Sequence, residues 1–175
     1  MRRTRDPLRT SPETPLRAGA DTEEDRRLLV LTAGIGITSA LAMAHALVAA
    51  RSARPVDFVH VVRDIESLPH WDELQRAAAQ LGRARLHLYV TRPRQEDAAV
   101  EHNPGRPDGT LIAGILTDPA STEVHMCGST SFVTDMRAAA QAAGVPASSI
   151  RYDAFYSRGP WTSPRGRHRT RDRSR

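Results

Sequence analysis

A buried strand that runs straight into a glycine turn and a helix is the sequence feature that most constrains this fold. Leu28-Leu-Val-Leu-Thr-Ala33 is apolar almost throughout, as expected of a strand that is covered on both faces of a sheet. Gly34-Ile-Gly36 ends the strand, and Thr38 or Ser39 is expected to cap a helix that continues to about Ala50. Strands covered on both faces are typical of α/β proteins, so the pattern indicates that class.

The alternation of strand and helix patterns continues along the chain. Further strands are predicted at residues 56–62, 85–90, 123–127 and 150–155, with helices at residues 71–81, 110–116 and 131–143. Residues 92–108 contain Pro, Gly and Asn and are predicted to form a loop that leads into the helix at residues 110–116. We therefore predict an α/β fold with an open five-stranded parallel sheet and helices on both faces, a Rossmann-like arrangement. Ligands of such sheets bind at the carboxyl ends of the strands, near the point where the strand order reverses.

Positive charge is unevenly placed along the 175 residues, whose formal net charge is +5. The chain has 25 arginines and no lysine, and residues 157–175 contain seven of these arginines and one aspartate. The rest of the chain is close to neutral, so we expect no specific nucleic-acid-binding face on the domain. Residues 1–27 and 157–175 lack apolar periodicity, and both segments are predicted to be disordered around an ordered domain at residues 28–156.

Several kinds of protein are excluded by the same composition. No run of about 18 apolar residues exists, so no transmembrane helix is expected, and the polar first segment is unlike a signal peptide. The single cysteine, Cys127, excludes an internal disulfide and a thiolate zinc cluster, and the histidine spacing predicts no metal site. A cytoplasmic location is the expectation for such a chain.

The first candidate site is the loop between the first strand and the first helix. Its residues are Gly34, Ile35, Gly36, Ile37 and Thr38. Two glycines let a ligand approach the backbone closely, and a helix N-terminus offers N–H groups and a partial positive charge to a pyrophosphate. The third glycine of the G-x-G-x-x-G fingerprint is absent. Nucleotide binding and a plain strand-to-helix turn therefore both remain open on this motif alone.

Two other strand ends carry candidate residues on the same edge of the predicted sheet. Cys127 ends the fourth predicted strand, and Gly128 and Ser129 follow it, although a lone cysteine is more often a small buried apolar residue. Asp153 and Phe155 end the last strand, where a ligand-facing position and a solvated edge are both open.

Arginines follow the second and third predicted strands. These are Arg63, beside Asp64, and Arg92, which follows Thr91. The arginine fork suits phosphate, and a solvated loop position is the alternative for each of them. The side chains of Arg63 and Asp64 are expected to point to different sides of their loop.

Together these motifs resemble the nicotinamide-dinucleotide domain of the ferredoxin–NADP reductase superfamily. Ala33-Gly-Ile-Gly-Ile-Thr38 is similar to the superfamily's first loop. Cys127-Gly128 followed by Phe132 is similar to its Cys-Gly-Pro-x-x-Phe motif, and Asp153-x-Phe155 to its terminal Glu-x-Phe. The departures are Ser39 and Ser129 in place of proline, and Asp153 in place of glutamate.

Three further stretches resemble one subgroup, the reductase module of flavohaemoglobins, which are nitric oxide dioxygenases. They are Phe58-Val-His60, Gly105-Arg-Pro-Asp108 and Gly144-Val-Pro-x-x-x-Ile-Arg-Tyr-Asp-x-Phe155. The resemblance implies that residues 28–156 are an NAD(P)-binding oxidoreductase domain. Gly34, Gly36 and Thr38 would then hold the pyrophosphate, and Cys127, Gly128 and Ser129 would lie beside the nicotinamide, with Phe132 and Met136 packed beneath.

The resemblance also implies a flavin, since superfamily members carry FAD on a β-barrel that precedes this domain. Only 27 polar residues precede the first strand here, so we expect FAD to come from a missing domain or a flavin- or haem-carrying partner. Asp153 and Phe155 would face the flavin ring, and the chain alone would not complete the reaction. Thr91-Arg92 resembles the pair found in NADPH-selective members and favours NADPH over NADH. The alternative is a truncated, non-catalytic nucleotide-binding or interaction protein.

Overall fold

Six parallel strands form one sheet in the computed structural model, which describes residues 26–155. The strands are β1 (Leu28–Ala33), β2 (Val56–Val62), β3 (Ala84–Val90), β4 (Asn103–Pro104), β5 (Glu123–Ser129) and β6 (Ile150–Phe155). The helices are α1 (Ile37–Ala49), α2 (Trp71–Ala78), α3 (Gly109–Ile115) and α4 (Thr130–Ala142). No helix within this part of the chain is long and apolar enough to cross a membrane. Residues 1–25 and 156–175, which include most of the two segments predicted to be disordered, lie outside the described residues.

The order of the strands in the sheet is β4-β3-β2-β1-β5-β6. The chain starts in the middle with β1, builds outward through β2, β3 and β4, and then returns to the other side of β1 with β5 and β6. The paired residues of β1 and β5 run from Leu28 and Glu123 to Thr32 and Cys127. The reversal of strand order therefore lies between β1 and β5, and the ligand-binding edge of such a sheet is at their carboxyl ends.

The predicted number of strands was wrong by one. β4 has two residues, Asn103 and Pro104, which pair with Tyr89 and Val90 of β3. It lies inside the segment predicted as a loop, because two residues give no periodic signal and proline within a short run argues against a strand. β4 is an edge strand, which is the place in a sheet where proline is tolerated. The parallel arrangement and the α/β class are confirmed.

Helices cover both faces of the sheet, as predicted. Successive residues of a strand point to opposite faces, so each buried strand contributes to two cores. The core beneath α3 and α4 includes Leu29, Leu31, Val59, Val61, Ile112 and Phe132. The core beneath α1 and α2 includes Leu28, Val30, Phe58, Ile37, Ala44 and Leu74. This double burial explains why β1 and β2 are apolar without alternation.

The start of α1 differs from the prediction. A short 3₁₀ turn at Gly34–Gly36 joins β1 to α1, and Gly36 is the residue that precedes the helix. Thr38 does not cap the helix, because its hydroxyl donates to the carbonyl of Ile35 at 3.0 Å. No side chain caps the N-terminus of α1. The N–H of Ile37 donates to the carbonyls of Gly34 and Ile35, and the other N–H groups of the first turn of α1 have no partner within the helix.

A buried carboxylate ties the amino-terminal edge of the sheet together. The side chain of Asp57 in β2 is fully buried and accepts from Arg27, from Arg85 at 2.8 Å and from His87 at 3.0 Å. Burial opposes ionisation of Asp57, but the hydrogen bonds from His87 and Arg85 and the two positive charges outweigh it and lower its pKa. This network lies at the opposite end of the strands from the candidate site and serves the fold.

Candidate functional site

Two glycine turns meet at the point where the strand order reverses. Gly34–Gly36 follows β1, and Cys127, Gly128 and Ser129 form the end of β5. The two strands are neighbours, and Thr32 pairs with Cys127 just before both turns. The structure thus brings together the two motifs that the sequence places more than 90 residues apart.

Gly36 is required by the packing of the two turns against each other. Gly36 is buried, and its φ of −59° is one that any residue adopts. A Cβ atom on Gly36 would lie 2.9 Å from the carbonyl carbon of Cys127 and closer still to the carbonyl oxygen. Gly36 was predicted to leave room for a ligand, but the space its missing side chain leaves is filled by the backbone of β5.

Gly34 is the glycine that faces open space. Its φ of +54° is in the left-handed region, and no atom lies within 4 Å of the position that a Cβ would take. The neighbouring Ile35 side chain is 61% exposed, although it is large and apolar. Open space beside the uncapped start of α1 is the geometry that a phosphate group needs in order to approach backbone N–H groups.

The end of β5 is held by α4. A Cβ atom on Gly128 would lie 2.5 Å from Cδ1 of Phe132, so the Phe132 ring packs directly against this turn, with Met136 buried one turn further along α4. The Ser129 hydroxyl accepts from the N–H of Phe132 at 3.4 Å and caps α4. Cys127 is a free, partly buried thiol. The serine that replaces proline here thus has a local structural role.

Asp153 and Phe155 lie beside this turn on the edge strand. Cys127 pairs with Asp153, and Ser129 pairs with Phe155. Asp153 is exposed and Phe155 is partly buried. A pocket of about 280 Å³ on the α1 side of the sheet is lined by Cys127, Asp153, Thr32, Ser39, Met43 and His125 among others.

His125 was missed by the sequence reasoning. It shares a face of β5 with Cys127 at a spacing of two residues, and that spacing is the signal that could have found it. Its Nε2 contacts Glu123 at 3.0 Å. Burial opposes ionisation of Glu123, but the hydrogen bonds from His125 and Arg54 lower its pKa to about 2.

Arginine side chains line a second concavity at the same edge of the sheet. This arginine cleft has a volume of about 440 Å³ and is lined by Ala33, Val61, Val62, Arg63, Thr91, Arg92, Arg106, Ser129 and Phe132. The predicted residues Arg63, Thr91 and Arg92 therefore lie together. Their loops are joined by backbone hydrogen bonds from Thr91 to Val62 at 2.9 Å and from Arg92 to Arg63 at 2.8 Å. Arg106 was not predicted as a site residue, because the strand that precedes it, β4, was not recognised.

The expectation that Arg63 and Asp64 point apart was wrong. Nε of Arg63 lies 3.2 Å from Oδ2 of Asp64. Asp64 is buried, and its carboxylate caps the 3₁₀ turn after β2 by accepting from the N–H and the hydroxyl of Ser67. The hydrogen bond from the Ser67 hydroxyl lowers the pKa of Asp64; burial opposes this shift, and Arg63 adds to it. The Asp64 carboxylate thus contacts residues of its own loop and does not line the cleft.

A buried histidine lies beneath the loops. Nδ1 of His60 in β2 is 2.8 Å from the hydroxyl of Thr32, and its ring stacks on Trp71 of α2. Its Nε2 is buried without a hydrogen-bond partner in the described structure. Burial lowers the pKa of His60 to about 4, although the contact with Thr32 opposes the shift. Among residues 26–155 no group of three or more His, Cys, Asp or Glu side chains has the arrangement of a metal site.

Comparisons with known proteins agree with this geometry. Residues 30–138 match the family described as the oxidoreductase NAD-binding domain. The chain is 28% identical over 131 residues to a flavohemoprotein of Burkholderia sp. (strain TH2), covering 75% of this chain and 33% of the relative. A flavohemoprotein of Bacillus subtilis (strain 168) is 26% identical over 137 residues, covering 77% of this chain and 34% of that protein. The chain therefore spans about a third of the length of these relatives.

A solved structure of a flavohemoglobin is also similar to this chain in its fold. The flavohemoglobin from Malassezia yamatoensis, determined with bound FAD and heme, superposes with a TM-score of 0.66 at 29% identity. The match covers 77% of this chain and 33% of that protein. The family match spans more than half of the chain and includes most of β1, both glycine turns and most of α4. The chain therefore belongs to the oxidoreductase NAD-binding domain family, the nicotinamide-dinucleotide module of the ferredoxin–NADP reductase superfamily.

Proposed function

We propose that this chain is the NAD(P)H-binding module of a flavin-dependent oxidoreductase of the flavohaemoglobin type. The observation that carries the proposal is the meeting of the two glycine turns at the strand-order reversal, with open space at Gly34 and the arginine cleft beside it. In parallel sheets this is the place where a dinucleotide lies. The relatives that match the chain are flavohemoproteins, which supports the same reading.

The described residues fit a dinucleotide at both ends of this edge. The uncapped start of α1 and the open side of Gly34 would accept the pyrophosphate, with Ile35, Ile37 and Thr38 shaping the loop. Cys127, Gly128 and Ser129 would border the nicotinamide, and the Phe132 ring would fix the position of that turn. When bound, the nicotinamide would supply a hydride to a flavin, and the contribution of this chain would be to orient the two rings.

We propose that the flavin is FAD held by another domain or by a flavin- or haem-carrying partner, with haem or another acceptor downstream. Within the described part of the chain, we assign two residues to face the flavin, Asp153 and Phe155 on the edge strand β6. Two residues are too few to hold FAD, which supports a flavin held elsewhere. Asp153 is exposed, so a carboxylate would be available to the ring without first being released from an ion pair within residues 26–155.

The cofactor proposed for this module is NADPH in preference to NADH. Arg92 lines the cleft, is exposed and has no side-chain partner within the described part of the chain. An unpaired guanidinium loses no ion pair when it binds a phosphate, and Asp64, the nearest carboxylate in sequence to Arg63, is occupied by Ser67. The 2′-phosphate of NADPH would complete this site, whereas NADH would leave it empty.

Isothermal titration calorimetry of the purified chain with NADPH and NADH tests the proposal. We expect saturable heat with NADPH, weaker binding of NADH, and no visible flavin absorbance in the protein before titration. The titration is paired with circular dichroism, which establishes that the sample is folded. A folded protein that gives no heat with either dinucleotide would overturn the proposed function and favour a non-catalytic interaction protein.

A further inference from the structure

We propose that Arg106 is a further specificity-determining residue, which binds the 2′-phosphate of NADPH together with Arg92, and that Asp135 competes with the phosphate for Arg106. The inference rests on the proposed function, because it concerns the same dinucleotide. Arg106 belongs to the stretch Gly105-Arg-Pro-Asp108, to which the resemblance gives no role, and Asp135 lies outside the stretches that carry the resemblance.

One arginine of the cleft follows each of three neighbouring strands. Arg63 follows β2 directly, Arg92 is the second residue after β3, and Arg106 is the second residue after β4. The strands lie side by side in the order β4-β3-β2. The N–H of Gly105 donates to the carbonyl of Val90 at 2.8 Å, which anchors the loop of Arg106 to the end of β3. The convergence of the three side chains therefore follows from the sheet itself.

The position of the cleft suits a phosphate that is separate from the pyrophosphate. Neighbouring strands are about 4.8 Å apart, so the end of β3 lies about 10 Å from the glycine turn after β1. A dinucleotide whose pyrophosphate is bound at Gly34 and whose nicotinamide lies towards β5 must extend its adenosine half in the opposite direction, over β2 and β3. The adenosine ribose then comes over the arginines, and the group that distinguishes NADPH from NADH is on that ribose.

The three arginines differ in how strongly they are already paired. Arg63 is held by Asp64 at 3.2 Å, and Asp64 is itself buried and fixed by Ser67. Arg106 lies 3.6 Å from Asp135 of α4, and both side chains are about 60% exposed, at 61% and 59%. An exposed ion pair of this length is weak, so a dianionic phosphate can displace Asp135 from Arg106. Asp135 thus reduces the affinity for NADPH without blocking it.

The test measures dissociation constants for NADPH and NADH with wild-type protein and with three variants. Arg106→Ala should weaken NADPH binding about tenfold and change NADH binding less than about twofold. Asp135→Asn should strengthen NADPH binding about two- to fivefold, and it should have no such effect when combined with Arg106→Ala. Arg76→Ala, which removes an exposed arginine of α2 outside the cleft, is the control for net charge and should leave the ratio of the two affinities unchanged.

The outcomes separate this inference from the proposed function. If wild-type protein binds neither dinucleotide, the proposed function is overturned and the inference falls with it. If both dinucleotides bind but Arg106→Ala leaves their affinity ratio at the wild-type value, Arg106 is not a specificity determinant and the proposed function stands. If Asp135→Asn binds NADPH with wild-type affinity, the competing role of Asp135 is wrong. Thermal unfolding of each variant establishes that it is folded.

Discussion

Replacing Gly36 with alanine separates a packing role of this glycine from a role in ligand approach. The added Cβ atom would lie 2.9 Å from the carbonyl carbon of Cys127, and that carbonyl belongs to the backbone of a central strand. β5 is paired on both sides, so it cannot yield without disturbing its pairing with β1 or β6. Overpacking of this kind costs about 1–3 kcal/mol, and backbone that cannot move places Gly36→Ala at about 3 kcal/mol. That loss lowers the melting temperature by about 10 °C in a domain of this size.

Two other glycines provide matched comparisons. Gly34→Ala meets no atom within 4 Å, but its φ of +54° is strained for an L-residue and costs about 1–2 kcal/mol. Gly114→Ala lies on the exposed side of α3 with open space around it and should stabilise the protein by up to about 1 kcal/mol. Urea denaturation followed by circular dichroism measures all three. A Gly36→Ala variant as stable as wild type would refute the packing argument.

Three other perturbations have defined outcomes. Asp57→Asn leaves Arg27 and Arg85 without their buried carboxylate and should lower the free energy of unfolding by about 2–3 kcal/mol in urea denaturation at pH 7. Because the pKa of Asp57 is lowered in the folded protein, this difference in stability from wild type should shrink as the pH falls through the folded pKa. Burial lowers the pKa of His60 in the folded protein to about 4, from an ordinary value of 6.5. The wild-type protein should therefore lose about 3 kcal/mol of its free energy of unfolding as the pH falls from 6.5 to 4, and the stability of His60→Asn should depend less on pH. An unchanged slope in that variant would assign the acid sensitivity to other groups. Arg92→Ala should weaken NADPH binding about ten- to a hundredfold in calorimetry and leave NADH nearly unchanged, and equal weakening of both would remove the support for NADPH.

The main strands and both glycine turns could be predicted because their signals are local. A continuous apolar run such as Leu28-Leu-Val-Leu-Thr-Ala33 indicates burial on two faces whatever the rest of the chain does. β4 gives no such signal, because it is formed by two residues and defined only by its pairing with β3. The third arginine of the cleft was missed for the same reason, since its place depends on that pairing.

The roles of individual site residues depended on neighbours that are distant in sequence. The need for glycine at position 36 comes from the Cys127 carbonyl, 91 residues later in the chain. Asp64 was predicted to point away from Arg63, but the structure places its carboxylate in contact with both Arg63 and Ser67, contacts that a sequence pattern does not show. The buried positions of His60 and Asp57 follow from the full burial of β2, which a sequence pattern predicts for the strand but not for its polar members.

The most direct test of the account is an amide NMR titration of ¹⁵N-labelled protein with NADPH. The central claim is that one dinucleotide lies across the carboxyl ends of β5, β1 and β3. It predicts saturable shifts at the backbone amides of Gly34 and Gly36, at Gly128 and at Arg92, all with a single dissociation constant. The amides of Asp57 and Arg85, at the other end of the strands, should not move. Saturable shifts confined to any other surface, or no shifts at either glycine turn, would contradict the claim.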